Sequence, residues 1–226
     1  MSNIILSYLS GLEKNNNRDW YHEHKTQYKA AQNEFEELIQ MLIFEIGKFD
    51  SSILHNTPKD LTFKLVRDTR FSHDKSPYNP TFRCHIAAAG KRPVPTGYFL
   101  SIRPGNHSFL GGGLFADMFK DATQQVREYI FKNADEFLSI VHNPTFCNTF
   151  KVNGTILKNV PKEYPKDSSV AEYLKYKSWY IEYPFSSEIL EDSTTFVRFA
   201  AEKYALMKPF NDFLNKALAG FTMPQR

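Results

Sequence analysis

Residues 81–103 read Thr81-Phe-Arg-Cys-His-Ile86, then a ten-residue connection, then Gly97-Tyr-Phe-Leu-Ser-Ile-Arg103. Both outer runs alternate with the two-residue period of a strand. Phe82, Cys84 and Ile86 share one face, against Thr81, Arg83 and His85 on the other. Tyr98, Leu100 and Ile102 oppose Phe99, Ser101 and Arg103 in the same way. The connection contains Pro93-Val-Pro95 and is too short for the helical crossover that parallel strands require. The two strands are therefore expected to lie in an antiparallel sheet, with Arg83, His85, Arg103 and Ser101 gathered on one face.

Working outward, Leu61-Thr-Phe-Lys-Leu-Val-Arg67 alternates too and predicts a further strand, and Trp179 to Tyr183 predicts another. The flanks change to a helical period. Ser2 is placed to cap a helix carrying Ile5, Leu6, Leu9 and Leu12, which Gly11 and Asn15-Asn-Asn17 interrupt. Asn17 then caps a long helix whose face holds His24, Tyr28, Ala31, Phe35, Leu38, Leu42 and Ile46, ending at Gly47 or at the Asp50-Ser51-Ser52 stretch. Later helices are expected over Met118–Lys132, Ala134–Val141, Val170–Lys175, Ser187–Leu190, Thr194–Met207 and Phe210–Ala219, with Asn153-Gly154 as a turn. The fold class is α+β: a single domain over residues 1–226, with one mainly antiparallel sheet packed with N-terminal and C-terminal helices.

Composition agrees with a folded globule. Of 226 residues, 42% are hydrophobic and 15% aromatic, and only 10 are glycine, which excludes a disordered or low-complexity chain. A chain of this length buries roughly 70% of the surface exposed when unfolded, enough for a core without staples. Cys84 and Cys147 stand alone, without metal-ligand or CxxC spacing, and fit reduced thiols in a cytoplasmic protein. No apolar run approaches the ~18 residues of a membrane span, and no basic stretch precedes the short one at Ile4. No membrane partner, no metal and no cofactor are expected.

The net charge of +3 conceals an asymmetry. Between Thr57 and Gly105 nine Lys and Arg (Lys59, Lys64, Arg67, Arg70, Lys75, Arg83, Lys91, Arg92, Arg103) face only Asp60, Asp68 and Asp74, a local +6 on a body of −3. One basic stretch on a mildly acidic protein points to a local anion site rather than to a nucleic-acid coat. Its densest part is Arg67-Asp-Thr-Arg-Phe-Ser-His-Asp-Lys-Ser-Pro-Tyr78. Arg67, Arg70 and Lys75 offer forked and point donors to a phosphate or carboxylate, while Asp68, Asp74 and Tyr78 can orient groups or transfer protons. The competing reading is a set of exposed ion pairs, each worth ~0–1 kcal/mol. Gly112 and Gly113, in a glycine triplet, can aim backbone N–H groups at the same anion, although no Lys-Ser/Thr follows as in a nucleotide-binding P-loop.

Asn16-Asn-Arg-Asp-Trp20 forms the other polar-aromatic cluster, with Arg18 placed to reach a neighbouring loop. His22 and His24 point about 200° apart on a helix and cannot share a metal; His24 should face the core and His22 the solvent. Phe71, Tyr78, Phe82 and Phe99 interleave with the basic residues, so stacking of single-stranded nucleic acid is the alternative partner chemistry. No GxSxG, GxGxxG, CxxC or EF-hand pattern occurs, and no motif names a reaction.

Several of these segments together carry a resemblance. Asn16 to Trp20 with His24-Lys25 and Tyr28, Arg67 to Tyr78, Gly97-Tyr98, Gly111-Gly-Gly-Leu114, and Leu157 with Pro161-Lys162 and Tyr164 resemble the bacterial family called domain of unknown function 2461, over about residues 7–213. The resemblance implies one soluble α+β domain and supplies no reaction. Tyr21 and Asn79 stand where the family pattern has Phe and Lys, which removes one cation here. The expectation is a basic pocket for a small anionic ligand. Arg18, Trp20, Arg67, Arg70, Phe71, Lys75, Arg83, Arg103, Gly112 and Gly113 would bind it, and metal-independent hydrolysis or group transfer would rest on Asp68, Asp74 and Tyr78. A non-catalytic binding or interaction domain is the alternative.

Overall fold

A computed structural model describes residues 3–115 and 119–223. Among them the fold is α+β: nine α-helices accompany a four-stranded antiparallel sheet, ordered β1-β2-β3-β4 as a meander. The strands are β1 (Phe82–Ile86), β2 (Gly97–Ile102), β3 (Phe109–Leu114) and β4 (Trp179–Pro184). Helices α1 (Ile4–Lys14), α2 (Arg18–Glu23), α3 (Lys25–Gly47) and α4 (Pro58–Leu61) precede the sheet. Between β3 and β4 lie α5 (Lys120–Lys132), α6 (Ala134–Val141), α7 (Pro144–Thr149) and α8 (Ala171–Leu174), and α9 (Ser193–Ala217) follows. No helix among the described residues is long and apolar enough to cross a membrane.

By its internal contacts the chain forms two compact units. The first comprises the chain up to Lys91, Phe99–Leu110 and Pro184–Glu202; the second comprises Arg92–Tyr98, Gly111–Tyr183 and the chain from Lys203 onward. In the first unit α1 packs along α3, with Ile5, Leu9 and Leu12 buried on one and Phe35, Ile39, Leu42 and Ile46 on the other. Phe82 of β1 joins them, stacked on Phe35 at 5.1 Å between ring centroids. The second unit centres on Phe137, whose ring meets Tyr173 at 4.9 Å, Phe213 at 5.2 Å and Phe210 at 6.4 Å. Trp179 is fully buried there and donates its indole N–H to the Tyr173 carbonyl at 3.0 Å.

The alternation of residues 81–103 appears as expected, with Phe82, Cys84, Ile86, Tyr98, Leu100 and Ile102 all buried. Burial pushes the Cys84 thiol up to about 12, whereas Cys147 is exposed. Other expectations are corrected. Residues 61–67 do not form a strand: α4 ends at Leu61, and the segment makes only isolated bridges, Thr62 to Cys84 of β1 and Val66 to Tyr78. The long helix after Asn17 is two helices, broken at His24, whose ring stacks on Trp20 at 3.9 Å and whose Nδ1 lies 2.9 Å from the Trp20 carbonyl. Asn17 caps the first of them, accepting from the Trp20 N–H. Asn3 caps α1, accepting from the Leu6 N–H; Ser2, and Met118 at the expected start of the helix before β4, lie outside the described residues.

Asn153-Gly154 is not a turn. Asn153 bridges Tyr180, and a Cβ on Gly154 would collide with the Ser178 carbonyl oxygen. The two final helices are one, α9, running through Pro209. An interior proline costs a helix about 3 kcal/mol, but Met207, Phe210, Phe213 and Leu214 on either side of it are buried and hold the register.

The glycine triplet lies inside β3, and α9 explains it. Gly113 has φ +94°, and a Cβ there would collide with the Trp179 carbonyl oxygen and come 2.9 Å from the Phe210 ring. Asn211 of α9 lies against Gly112, where a Cβ would stand 3.2 Å from its Oδ1. It accepts from the Gly113 N–H at 2.7 Å and donates to the Gly97 carbonyl at 3.0 Å, while buried to 2% exposure. Replacing Asn211 with Ala leaves two buried strand groups unpaired, at a cost of about 2 kcal/mol or more. The thermal unfolding midpoint should fall by several degrees, whereas Lys208→Ala, on the exposed side of the same helix, should leave it almost unmoved; equal midpoints for the two variants would refute this role for the amide.

Candidate functional site

The motif between Arg67 and Pro77 is a loop closed at its neck by backbone pairing. Arg67 N–H donates to the Pro77 carbonyl at 2.9 Å and Asn79 N–H to the Leu65 carbonyl at 2.7 Å. Asn16 then clamps the neck from outside. Its Nδ2 donates to the Tyr78 carbonyl at 2.9 Å and its Oδ1 accepts from the Tyr78 N–H at 3.1 Å, so one carboxamide acts as a strand neighbour would. Two motifs separated by 62 residues in sequence therefore meet through Asn16. Arg18, expected to make this reach, is exposed in the first turn of α2.

Within the loop every cation has a partner. Arg70 forks onto Asp68, Nε to Oδ1 at 2.9 Å and Nη2 to Oδ2 at 2.6 Å. Arg67 pairs with Asp74 and also donates to the Ser72 hydroxyl at 3.3 Å; Lys75 donates to the Thr69 carbonyl at 3.0 Å. Asp68 is held below its ordinary range, first by hydrogen bonds from Arg70. Asp74 is held well below it, first by hydrogen bonds from Ser76 and then by Arg67. Both stay carboxylates at neutral pH. The loop side chains are largely open to solvent, Arg70 at 78% and Phe71 at 96%, with the Arg70 guanidinium 5.9 Å from the Phe71 ring.

Below the neck lies a cluster of aromatic rings. Tyr78 is buried and stacks on Tyr21 at 4.3 Å; Tyr21 meets Tyr28 at 5.3 Å, and Tyr8 lies 5.7 Å from both Tyr28 and Trp20. Trp20 in turn packs where α1 has Gly11, a position at which a Cβ would come within 2.8 Å of the indole. Burial raises the Tyr8 and Tyr21 phenols, and it pushes Tyr28 up to about 12, so these hydroxyls remain protonated donors. His22 is exposed and His24 partly buried against Trp20. Among the described residues no group of three or more His, Cys, Asp or Glu side chains is arranged to hold a metal ion.

The cations without partners lie elsewhere in the same basic stretch. Tyr28, Gln32 and Glu36 of α3, Lys59 of α4, Thr62, Phe63, Lys64, Phe82 and Lys91 line a cleft of ≈ 160 Å³. Among the described residues Lys59, Lys64 and Lys91 form no ion pair. Asp60, the acid whose charge Lys91 feels, is turned to the start of α4, where it accepts from the Thr57 N–H at 3.0 Å and hydroxyl at 2.7 Å. Glu36 accepts from Gln32 at 2.8 Å. Beside the cleft, Arg83 spreads over the Phe63 ring at 5.5 Å, half-buried, with its Nε buried and unpaired; burial lowers its affinity for the proton without discharging it. Arg103, by contrast, reaches Glu13 at 3.4 Å.

This geometry sorts the expected residues. Arg67, Asp68, Arg70, Asp74 and Lys75 are brought together but bind one another. Trp20 and Tyr78 pack beneath them, Gly112 and Gly113 pack against α9, and Arg83 alone combines burial with a free donor. The three lysines of the cleft count toward the local +6, yet nothing in their spacing indicates that they converge.

A family model described as "Conserved hypothetical protein (DUF2461)" matches residues 4–213. The chain belongs to the DUF2461 family. In this DUF2461 protein Asn16 joins two of the segments that carry the family resemblance, 16–20 and 67–78. No curated protein and no solved structure matches the chain.

The depressed Asp68 and Asp74 set the sign of a pH effect. A carboxylate favoured by folding stabilises the loop fully above the ordinary range near ~4, and that stabilisation is lost as pH falls from there through the lowered folded-state values. The Arg70 and Ser76 amides donate to these two acids at 3.2 and 2.9 Å. Their NMR shifts should stay flat from pH 8 to 5 and move only below about pH 4; midpoints at or above that value would contradict the pairing.

Proposed function

We propose that the protein binds a small anionic ligand, phosphate- or carboxylate-bearing, in the cleft between α3, α4 and the start of β1. The observation that carries this reading is the unequal use of cations. Arg67, Arg70 and Arg103 are each neutralised by a carboxylate, whereas Lys59, Lys64 and Lys91 converge on one cleft whose only acidic lining residue is Glu36. Three like charges held near one another repel, and a ligand with two or more negative oxygens relieves that repulsion. Tyr28, a protonated phenol, and Gln32 add neutral hydrogen-bonding groups. Arg83 adds a half-buried cation on the neighbouring face of Phe63.

Hydrolysis and group transfer are not part of the proposal. Asp68 and Asp74 have no proton to give at neutral pH, and as bases they are weakened by the same hydrogen bonds. Their role in this reading is to keep the loop closed above its neck.

Inorganic phosphate and pyrophosphate are the direct probes. At 100 times the dissociation constant a ligand stabilises the native state by about 2.7 kcal/mol, readable as a rise in the thermal midpoint. The rise should be lost in Lys64→Gln/Lys91→Gln and kept in Arg70→Ala, since Arg70 is already committed to Asp68. A response lost in Arg70→Ala and kept in the lysine variant would move the site to the loop and overturn the cleft assignment.

A further inference from the structure

The sheet face next to the cleft carries aromatic rings in a row. Strand alternation sends Phe82, Cys84 and Ile86 into the core and leaves Arg83, half-buried, and His85, itself buried, on the opposite side. Phe99 lies on that side, 6.4 Å from the His85 ring. Phe63 stands 6.2 Å from Phe99, and Phe109 stacks on Phe99 at 6.0 Å with the planes 22° apart. All three phenyl rings are partly exposed, an arrangement that core packing does not require. Phe63 belongs to both surfaces: it lines the lysine cleft, and it carries Arg83 over its ring.

We infer that the anion bound in the cleft is the phosphate of a nucleotide unit whose base stacks on the Phe63–Phe99–Phe109 face. This rests on the cleft reading above and names its ligand class. The chemistry of the two adjoining surfaces matches the two ends of a nucleotide: lysine charge for the phosphate, and flat rings for a base, whose π-face stacks on an aromatic side chain whatever its identity. Arg83, whose guanidinium lies 5.5 Å from the Phe63 ring, adds a cation beside these rings. A phosphorylated sugar or a carboxylic acid would use the lysines and make no use of the exposed ring surface. A free mononucleotide and a single-stranded nucleic acid share this chemistry. Three rings in succession offer stations for more than one base, which favours the strand.

Binding of pyrophosphate, of adenosine and cytidine monophosphates, and of a fluorescent single-stranded DNA of about 10 nucleotides is compared on the full chain. Nucleotides should bind at least tenfold tighter than inorganic phosphate. Phe99→Leu and, separately, Phe109→Leu should remove about tenfold of nucleotide or oligonucleotide affinity, the value of one stacked base, while leaving the pyrophosphate response intact. That retained response also shows each variant to be folded. Tighter binding of the oligonucleotide than of mononucleotides identifies the strand as the ligand, and equal binding identifies the free nucleotide; both support the shared chemistry. The inference is overturned if nucleotides bind no tighter than pyrophosphate, if neither phenylalanine variant changes their affinity, or if duplex DNA binds as well as the single strand, which would mark backbone electrostatics alone. Loss of the pyrophosphate response itself, by contrast, would remove the cleft reading beneath it.

Discussion

A buried backbone group must find a partner, and in this protein asparagine side chains supply the partners where strands do not. Asn211 bridges the Gly97 carbonyl and the Gly113 N–H, and Asn215, one helical turn later on α9, accepts from the Thr96 N–H at 2.7 Å and donates to the Thr96 carbonyl at 3.0 Å. Asn16 does the same for Tyr78. A carboxamide has the donor and acceptor of a peptide group on a flexible stem, so it can complete a ladder from outside the sheet. Each orphaned pair would otherwise cost about 1–3 kcal/mol per group. The glycines of β3 follow from this constraint: a Cβ on Gly112 would stand 3.2 Å from the Asn211 Oδ1 and crowd the carboxamide that bonds the Gly113 N–H at 2.7 Å. An interior proline is tolerated two residues before Asn211 because the same contacts fix the helix on both sides of it.

The same economy explains why the most conspicuous polar motif is not the most reactive part of the molecule. Arg67-Asp-Thr-Arg-Phe-Ser-His-Asp-Lys-Ser-Pro-Tyr78 looks like a ligand-binding loop because it is dense in donors. Folded, those donors satisfy the loop's own acceptors. Arg70 is two residues from Asp68 and Arg67 seven from Asp74, distances over which a closed loop makes pairing almost unavoidable. Exposed ion pairs of this kind contribute little stability, but together with the Asn16 clamp they give eleven residues a defined shape and present Phe71 at the tip. Charge density along a sequence is thus a poor guide to free charge in space.

Legibility followed the range of the interaction that decides each feature. The faces of residues 82–86 and 97–102 depend on strand alternation alone, and the alternation was readable in the chain. Residues 61–67 alternate equally well but lack a strand partner along their length, so pattern without pairing yields only two bridges. Phe109-Leu-Gly-Gly-Gly-Leu114 hid a strand, because glycine is depleted in strands unless another element approaches closely, and that element, α9, lies about a hundred residues away. The break at His24 and the passage of α9 through Pro209 were hidden for the same reason: contacts made elsewhere outweighed local preference. At the site, Arg83 was readable as a face residue, whereas Lys59, Lys64 and Lys91 contributed to the charge balance but converge only through the fold.

The aromatic content belongs to the same argument. Most rings are consumed by the two cores, in clusters such as Phe35 with Phe82 and Phe137 with Phe210 and Phe213. Of the tyrosines under the loop neck, Tyr8 is buried and Tyr21 and Tyr28 are half-buried, all three with their phenols raised, and Tyr28 gives the lysine cleft a neutral wall. Phe63, Phe99 and Phe109 differ from both groups in keeping part of each ring in water beside unpaired cations. Apolar rings left wet lie side by side with unneutralised charge, and the proposed ligand, flat at one end and anionic at the other, would cover both.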